Sequence, residues 1–181
     1  DSNSQNYGWL LKGAALAGLS LNIVHSGGVG GDTTAGMLAR VDAAISSGAA
    51  IASVMGGTND IGQGISAATT INNLEQIVNA FKAAKMSVFL CPILPRYASP
   101  GSVPLSLSQA ASLREVNRWI FAQSYKADVY SPIWIPGMAA GSDVTPHSTL
   151  YRDYVHVNDR GREVMGALLA PCFKQYSRVI S

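Results

Sequence analysis

Charged side chains are scarce in this chain: Asp, Glu, Lys and Arg make up 13% of its 181 residues, about half the ~25% of an ordinary globular domain. The net charge is +2, and the basic residues are scattered. Neither a nucleic-acid binder nor a protein held on an anionic membrane would be built this way. Cysteine is nearly absent. Cys91 and Cys172 lack both a CxxC pattern and a metal-ligand spacing, and Cys91, inside VFLCPIL, reads as a buried inert thiol rather than a disulfide partner. The three histidines, His25, His147 and His156, lie far apart with no HxxxH pair, so no metal site and no cofactor are expected. No apolar run reaches the ~18–20 residues of a membrane span, and no signal peptide is visible. The compartment stays open, with a secreted or virion setting favoured. Internal repeats, low-complexity tracts and linkers are missing too, which leaves residues 1–181 as a single domain.

What is present is a core. Hydrophobic residues make up 48% of the chain, and a chain of this length can bury a full core. Helical and strand-like patterns alternate. Residues 5–19 carry a broad apolar helical face with Trp9, Leu10, Ala14, Leu16 and Ala17. LNIVH, residues 21–25, is a short β-rich run. Residues 33–45 are helical again, with Met37, Leu38, Val41 and Ile45 on one side. AAIASVM, residues 49–55, is apolar on both sides, as a buried parallel strand should be. Residues 67–84 form the clearest helix, with Ile71, Leu74, Ile77, Val78 and Phe81 in one stripe. A strand over 86–91, a helix over 106–125 capped by Ser106, a short strand over 127–130 and an irregular stretch from 131 to 150 follow. A final helix over 158–169 has Asn158 as its cap. This order predicts an α/β fold, with an open parallel sheet covered by helices on both faces. Ligands in such sheets sit at the carboxyl ends of the strands.

The residues with chemical potential fall in the loops at those ends. SGGVGGDTT, residues 26–34, lacks the Lys-Ser/Thr ending of a phosphate loop and does not fit GxGxxG. It can still bring a backbone N–H close to a reacting oxygen, because glycine removes the Cβ obstruction. GGTND, residues 56–60, ends a buried strand. Its Asn59 can donate into the crevice, and Asp60 is expected to pin the loop through local backbone hydrogen bonds. RDYVHVND, residues 152–159, sets Asp153 three residues before His156. In a turned loop the carboxylate can hold one ring nitrogen and leave the other to take a proton. His25, at the end of a strand-like run, reads as packed or locally bonded. His147 has no acid at a comparable spacing.

Each of these pieces is weak alone. Their order is specific: Asp1-Ser2, a glycine loop with Asp-Thr, Gly-x-Asn-Asp, then Asp-x-x-His near the C-terminus. Nearly end to end, the chain resembles the SGNH hydrolases, also called GDSL esterases. The resemblance implies a three-layer α/β/α, flavodoxin-like fold. It also implies Ser2 as nucleophile, His156 as general base and Asp153 as its orienting acid. The oxyanion hole would be formed by the backbone N–H groups of Ser2 and Gly31 with the Asn59 side chain; Gly28 and Gly30 are neighbouring candidates. The family often has Asn where this chain has Ser26, so no role is carried to Ser26.

The first block lacks its glycine, and no strand precedes it. The domain is therefore expected to be N-terminally incomplete. The family's first strand would lie between residues 21–25 and 49–55, and its removal should open a trough and leave two edges unpaired. An N-terminal segment, a separate chain or residues 177–181 are expected to fill it.

The implied reaction is hydrolysis of a small acyl ester, acetyl above all, through an acyl-enzyme. A surface rich in Ser, Asn and Gly, and the irregular stretch bearing Tyr130, Trp134 and Tyr151, point to an acetylated carbohydrate. Lipid or aryl esters are the alternative substrates. Two other readings are a catalytically silent carbohydrate-binding module of a larger adhesin or phage tail protein, and one fragment of a complemented hydrolase.

Overall fold

The computed structural model describes residues 8–99, 101, 103–132 and 135–180. In chain order its elements are α1 (Gly8–Leu16), α2 (Thr34–Leu38), α3 (Val41–Ile45), β1 (Ile51–Met55), α4 (Thr58–Gln63), α5 (Ala67–Ala83) and β2 (Ser87–Cys91). They continue with α6 (Leu107–Gln123), β3 (Val129–Tyr130), α7 (Ile135–Met138), β4 (Ala139–Ala140), β5 (Ser142–Pro146) and α8 (Asp159–Ile180). Strands β1, β2 and β3 form a parallel sheet in that order, with Ile51 opposite Ser87 and Val88 opposite Val129.

The alternation within β2 builds the three layers. Val88 and Leu90 face one core with Leu74, Ile77, Val78 and Phe81 of α5 and Leu113, Val116 and Ile120 of α6. Phe89 and Cys91 face the other, with Trp9 and Leu10 of α1 and Met165, Leu169 and Phe173 of α8. A central parallel strand is covered on both faces, which explains its unbroken apolar run. Around Phe89 the rings of Tyr130, Phe173 and Tyr176 lie with centroids 5.0, 4.5 and 5.9 Å away.

Helix ends follow the sequence signals. Ser66 Oγ accepts the Thr69 N–H at 3.1 Å. Ser106 and Gln109 form a reciprocal capping box at the start of α6. Asn158 Oδ1 accepts the Gly161 N–H at 3.0 Å at the start of α8. Helix α1 packs closely on α8 through glycines: a Cβ on Gly13 would lie 3.0 Å from the Gly166 carbonyl oxygen, and one on Gly166 would lie 2.9 Å from that of Trp9.

Several expectations need correction. LNIVH forms no strand among the described residues. The helix expected over 33–45 is two short ones, because Arg40 leaves helical geometry at φ −117°, ψ 9°. The final helix does not stop at Leu169. It runs through Pro171 to Ile180, since Phe173 and Tyr176 extend its apolar face along Phe89. Residues 177–180 are thus the last turn of α8 and not a strand in the sheet. The stretch read as irregular contains α7 and the antiparallel pair β4–β5, turned at Gly141 with φ +73°. A cavity of about 470 Å³ lies between residues 22–29 and β1. No described strand pairs with that edge of β1.

Candidate active site

The last loop before α8 supplies a preformed acid–imidazole pair. Asp153 Oδ2 lies 2.7 Å from His156 Nδ1. Its other oxygen accepts the backbone N–H groups of His156 at 2.7 Å and Val155 at 3.1 Å. This is an Asx-type turn whose carboxylate also holds a ring. The short spacing makes both sets of bonds reachable at once, and Tyr154 completes the turn in left-handed conformation at φ +63°. Burial alone would raise the Asp153 carboxyl. The hydrogen bonds from the His156 backbone and ring and from the Val155 N–H outweigh it and hold the group below its ordinary value. Exposed Arg152 approaches the same carboxylate at 3.9 Å, too distant and too solvated to add much. With Nδ1 engaged by the acid, Nε2 is the nitrogen that can exchange a proton with a substrate-side group.

The second assembly joins the glycine loop to the end of β1. Asn59, in the first turn of α4, donates from Nδ2 to the Asp32 carbonyl at 2.7 Å. An amide NH₂ carries two donors, so a second N–H remains beyond this tether. Asp32 directly follows Gly31, whose φ of +76° suits glycine. The structure therefore brings the Gly31 and Asn59 segments together. Asp60 works differently from expectation. It is fully buried, and its carboxylate accepts from the Thr34 N–H at 2.9 Å and the Thr34 hydroxyl at 2.5 Å. It pins the start of α2 across the site rather than its own loop. Gly57 enters α4 at φ +96°, and a Cβ there would lie 2.8 Å from Ile93 Cδ1. Only glycine fits that turn.

Ser2 lies outside the described residues, as does Trp134. His25 is exposed and belongs to no strand, which leaves the locally bonded reading of it rather than the packed one. The His147 ring pairs locally, its Nδ1 3.0 Å from Thr149 Oγ1. Both cysteines are free and buried. Burial drives the Cys91 thiol far up and pushes Cys172 up to about 11, so neither is a nucleophile at neutral pH. Among the described residues no group of three His, Cys, Asp or Glu is placed to hold a metal, and no helix is long and apolar enough to cross a membrane.

The aromatic reading also changes. Tyr130 and Tyr151 are 4% and 5% exposed and belong to the core, so neither can stack on a substrate. Within the same loop Tyr154 stacks on Tyr97, both half-buried, at 4.7 Å and 13°. Tyr154 was visible inside the Asp-x-x-His motif; nothing in the sequence signalled its partner.

Comparison with known proteins agrees with this architecture. The sequence model of the GDSL-like lipase/acylhydrolase family matches residues 1–164. No curated protein matches at a significant level. Among solved structures, a GDSL-like lipase from Bacteroides thetaiotaomicron superposes with a TM-score of 0.75 at 20% identity, covering 96% of this chain and 85% of that one. A psychrotrophic esterase from Pseudoalteromonas sp., inhibited by monoethylphosphonate, gives 0.67 at 20% identity over 98% and 95% of the two chains. A carbohydrate esterase of family 3 from Talaromyces cellulolyticus gives 0.62 at 19% identity over 83% and 70%. With the family model spanning most of its length, this chain belongs to the GDSL-like lipase/acylhydrolase family and is a carboxylic ester hydrolase.

Proposed function

We propose that the protein is a serine esterase that removes small acyl groups, acetyl above all, from carbohydrate through an acyl-enzyme. The observation that carries this reading is the 2.7 Å contact between Asp153 Oδ2 and His156 Nδ1, which sets the imidazole as an oriented base. Ser2 is the nucleophile. His156 Nε2 takes its hydroxyl proton as Oγ bonds to the acyl carbon, and Asp153 stabilises the imidazolium. The tetrahedral oxyanion is held by the N–H groups of Ser2 and Gly31 and by the second Asn59 N–H. As the intermediate collapses, the leaving alkoxide takes the proton from His156. Water, deprotonated by the same nitrogen, then attacks the acyl carbon and frees Ser2. Three donors suit this chemistry because losing one raises the barrier by about 3–4 kcal/mol.

The carbohydrate preference is supported by the small share of charged residues and by the half-buried Tyr97–Tyr154 stack, whose Tyr154 belongs to the Asp153–His156 loop. A carbohydrate esterase among the structural neighbours fits the same picture. The test is hydrolysis of p-nitrophenyl acetate and of an acetylated oligosaccharide, set against p-nitrophenyl octanoate. Ser2→Ala and His156→Ala should each lower kcat by about 10³-fold or more, and the double variant little further. Full activity in His156→Ala would refute the assignment. Faster turnover of octanoate than of either acetyl ester would move the substrate to lipid.

A further inference from the structure

The segment that leaves β2 crosses between the two assemblies of the site and bonds to both. Its backbone is fixed first at Ile93, whose N–H and carbonyl are held by the buried Asn117 side chain at 2.7 and 2.9 Å. Three residues on, Arg96 is only 4% exposed, and no carboxylate bonds to it among the described residues. Its guanidinium donates to the Thr58 carbonyl and, at 2.9 Å, to the Thr58 hydroxyl. It also donates to the carbonyls of Tyr97 and Ala98 at 2.7 and 2.8 Å. A Cβ on Gly62 of α4 would lie 2.9 Å from Arg96 Nη2, so α4 rests directly on the guanidinium.

A buried arginine satisfied by neutral acceptors, three carbonyls and a hydroxyl, is an expensive arrangement. Burial lowers its pKa. What it secures is the residue before Asn59. The next residue secures the other half. Tyr97 N–H donates to the Tyr154 carbonyl at 2.9 Å, the two rings stack, and Gly101 N–H donates to the Asp153 carbonyl at 3.1 Å. Tyr154 needs such a hold, because at φ +63° it lies in the left-handed region, which is strained for a residue with a Cβ.

We propose that Arg96 and Tyr97 are positioning residues that fix the oxyanion donor Asn59 relative to the base His156, through Thr58 on one side and Tyr154 on the other. Neither residue needs to touch substrate. Their effect is on alignment, where an error of about 1 Å can cost roughly 10²-fold in rate. This inference rests on the esterase reading above.

The test uses the full chain, with p-nitrophenyl acetate kinetics and the downfield proton signal of the Asp153–His156 hydrogen bond. Tyr97→Ala should lower kcat about 10- to 100-fold with KM within twofold, and should broaden or abolish the downfield signal. Tyr97→Phe, which keeps ring and backbone, should restore both. Tyr154→Gly separates positioning from stability, since glycine adopts the left-handed turn without strain. It should hold the wild-type Tm and still lose at least tenfold in kcat. It also carries the test if Tyr97→Ala fails to fold. Wild-type kcat and an unchanged His156 signal in Tyr154→Gly and in any folded Tyr97→Ala would overturn the proposal. So would a rate loss in proportion to the unfolded fraction alone. Failure of the esterase reading is distinguishable: His156→Ala would then keep its activity, while the downfield signal would still report whether Tyr97 orders the loop.

Discussion

Replacing Asp153 by Asn probes the acid–imidazole pair with the least disturbance of its loop. One carboxylate oxygen accepts two backbone N–H groups, at 2.7 and 3.1 Å, and the other faces His156 Nδ1 at 2.7 Å. An asparagine must turn its single carbonyl oxygen to the backbone pair, because two part-buried N–H groups left unsatisfied would cost about 1–3 kcal/mol each. Its NH₂ then points at Nδ1 and can only donate. The imidazole is forced into the tautomer with its proton on Nε2, where it cannot accept from the proposed nucleophile Ser2. A wrong tautomer in a triad costs about 10⁴-fold in kcat, or roughly 5 kcal/mol at 1.36 kcal/mol per decade. The fold should lose much less, because the turn keeps its backbone acceptor. The assay is kcat for p-nitrophenyl acetate in wild type and Asp153→Asn, with imidazole ¹⁵N shifts to read the tautomer. A variant kcat within tenfold of wild type, with the proton shown on Nε2, would refute the reasoning.

Further outcomes follow from the same geometry. Asn59→Ala should lower kcat about 10²-fold with KM nearly unchanged, because in the proposed mechanism the second N–H acts on charge that develops only in the transition state; a loss confined to KM would make Asn59 a ground-state binding residue. Phe173→Ala removes a fully buried ring in contact with Phe89 and should destabilise by about 3–5 kcal/mol. Urea unfolding should then show a lower midpoint at an unchanged slope. The lowered Asp153 carboxyl makes ionised Asp153 a stabilising group at pH values above the unfolded carboxylate value of about 3.9. That contribution is lost as pH falls through the lower folded value. Melting curves from neutral to about pH 2.5 should therefore show wild type losing more Tm below about pH 4 than Asp153→Asn does.

Elements whose reason is local were legible in the sequence; those made by distant partners were not. The stripe of α5, the Ser106 and Asn158 caps and the doubly apolar runs of β1 and β2 each follow from their own residues. The Asp153–His156 contact was legible for the same reason, since one turn contains both groups. LNIVH was misread because strand character is conferred by ladder partners, and residues 21–25 have none among the described residues. Asp60 was misassigned because its partner Thr34 lies 26 residues away. Arg96 has no motif at all: its meaning comes from the Thr58 carbonyl, 38 residues earlier. Tyr130 and Tyr151 were taken for surface rings because burial in a polar, glycine-containing stretch cannot be read from composition.

The glycine-to-glycine contact of α1 with α8 also bears on when this enzyme can exist during its own synthesis. Trp9 and Leu10 emerge from the ribosome among the first residues described here, and Met165, Leu169 and Phe173, which share their core, emerge among the last. At about 5–20 residues per second, α1 waits on the order of ten seconds or more with its apolar face uncovered. Contacts this distant in sequence close late, because the loop entropy must be met before they form. His156 lies just ahead of α8, so it reaches its place in the same event that completes the core around Trp9. A nascent chain should therefore bury α1 and set His156 in place together, only once α8 has emerged, and should depend on chaperones until then.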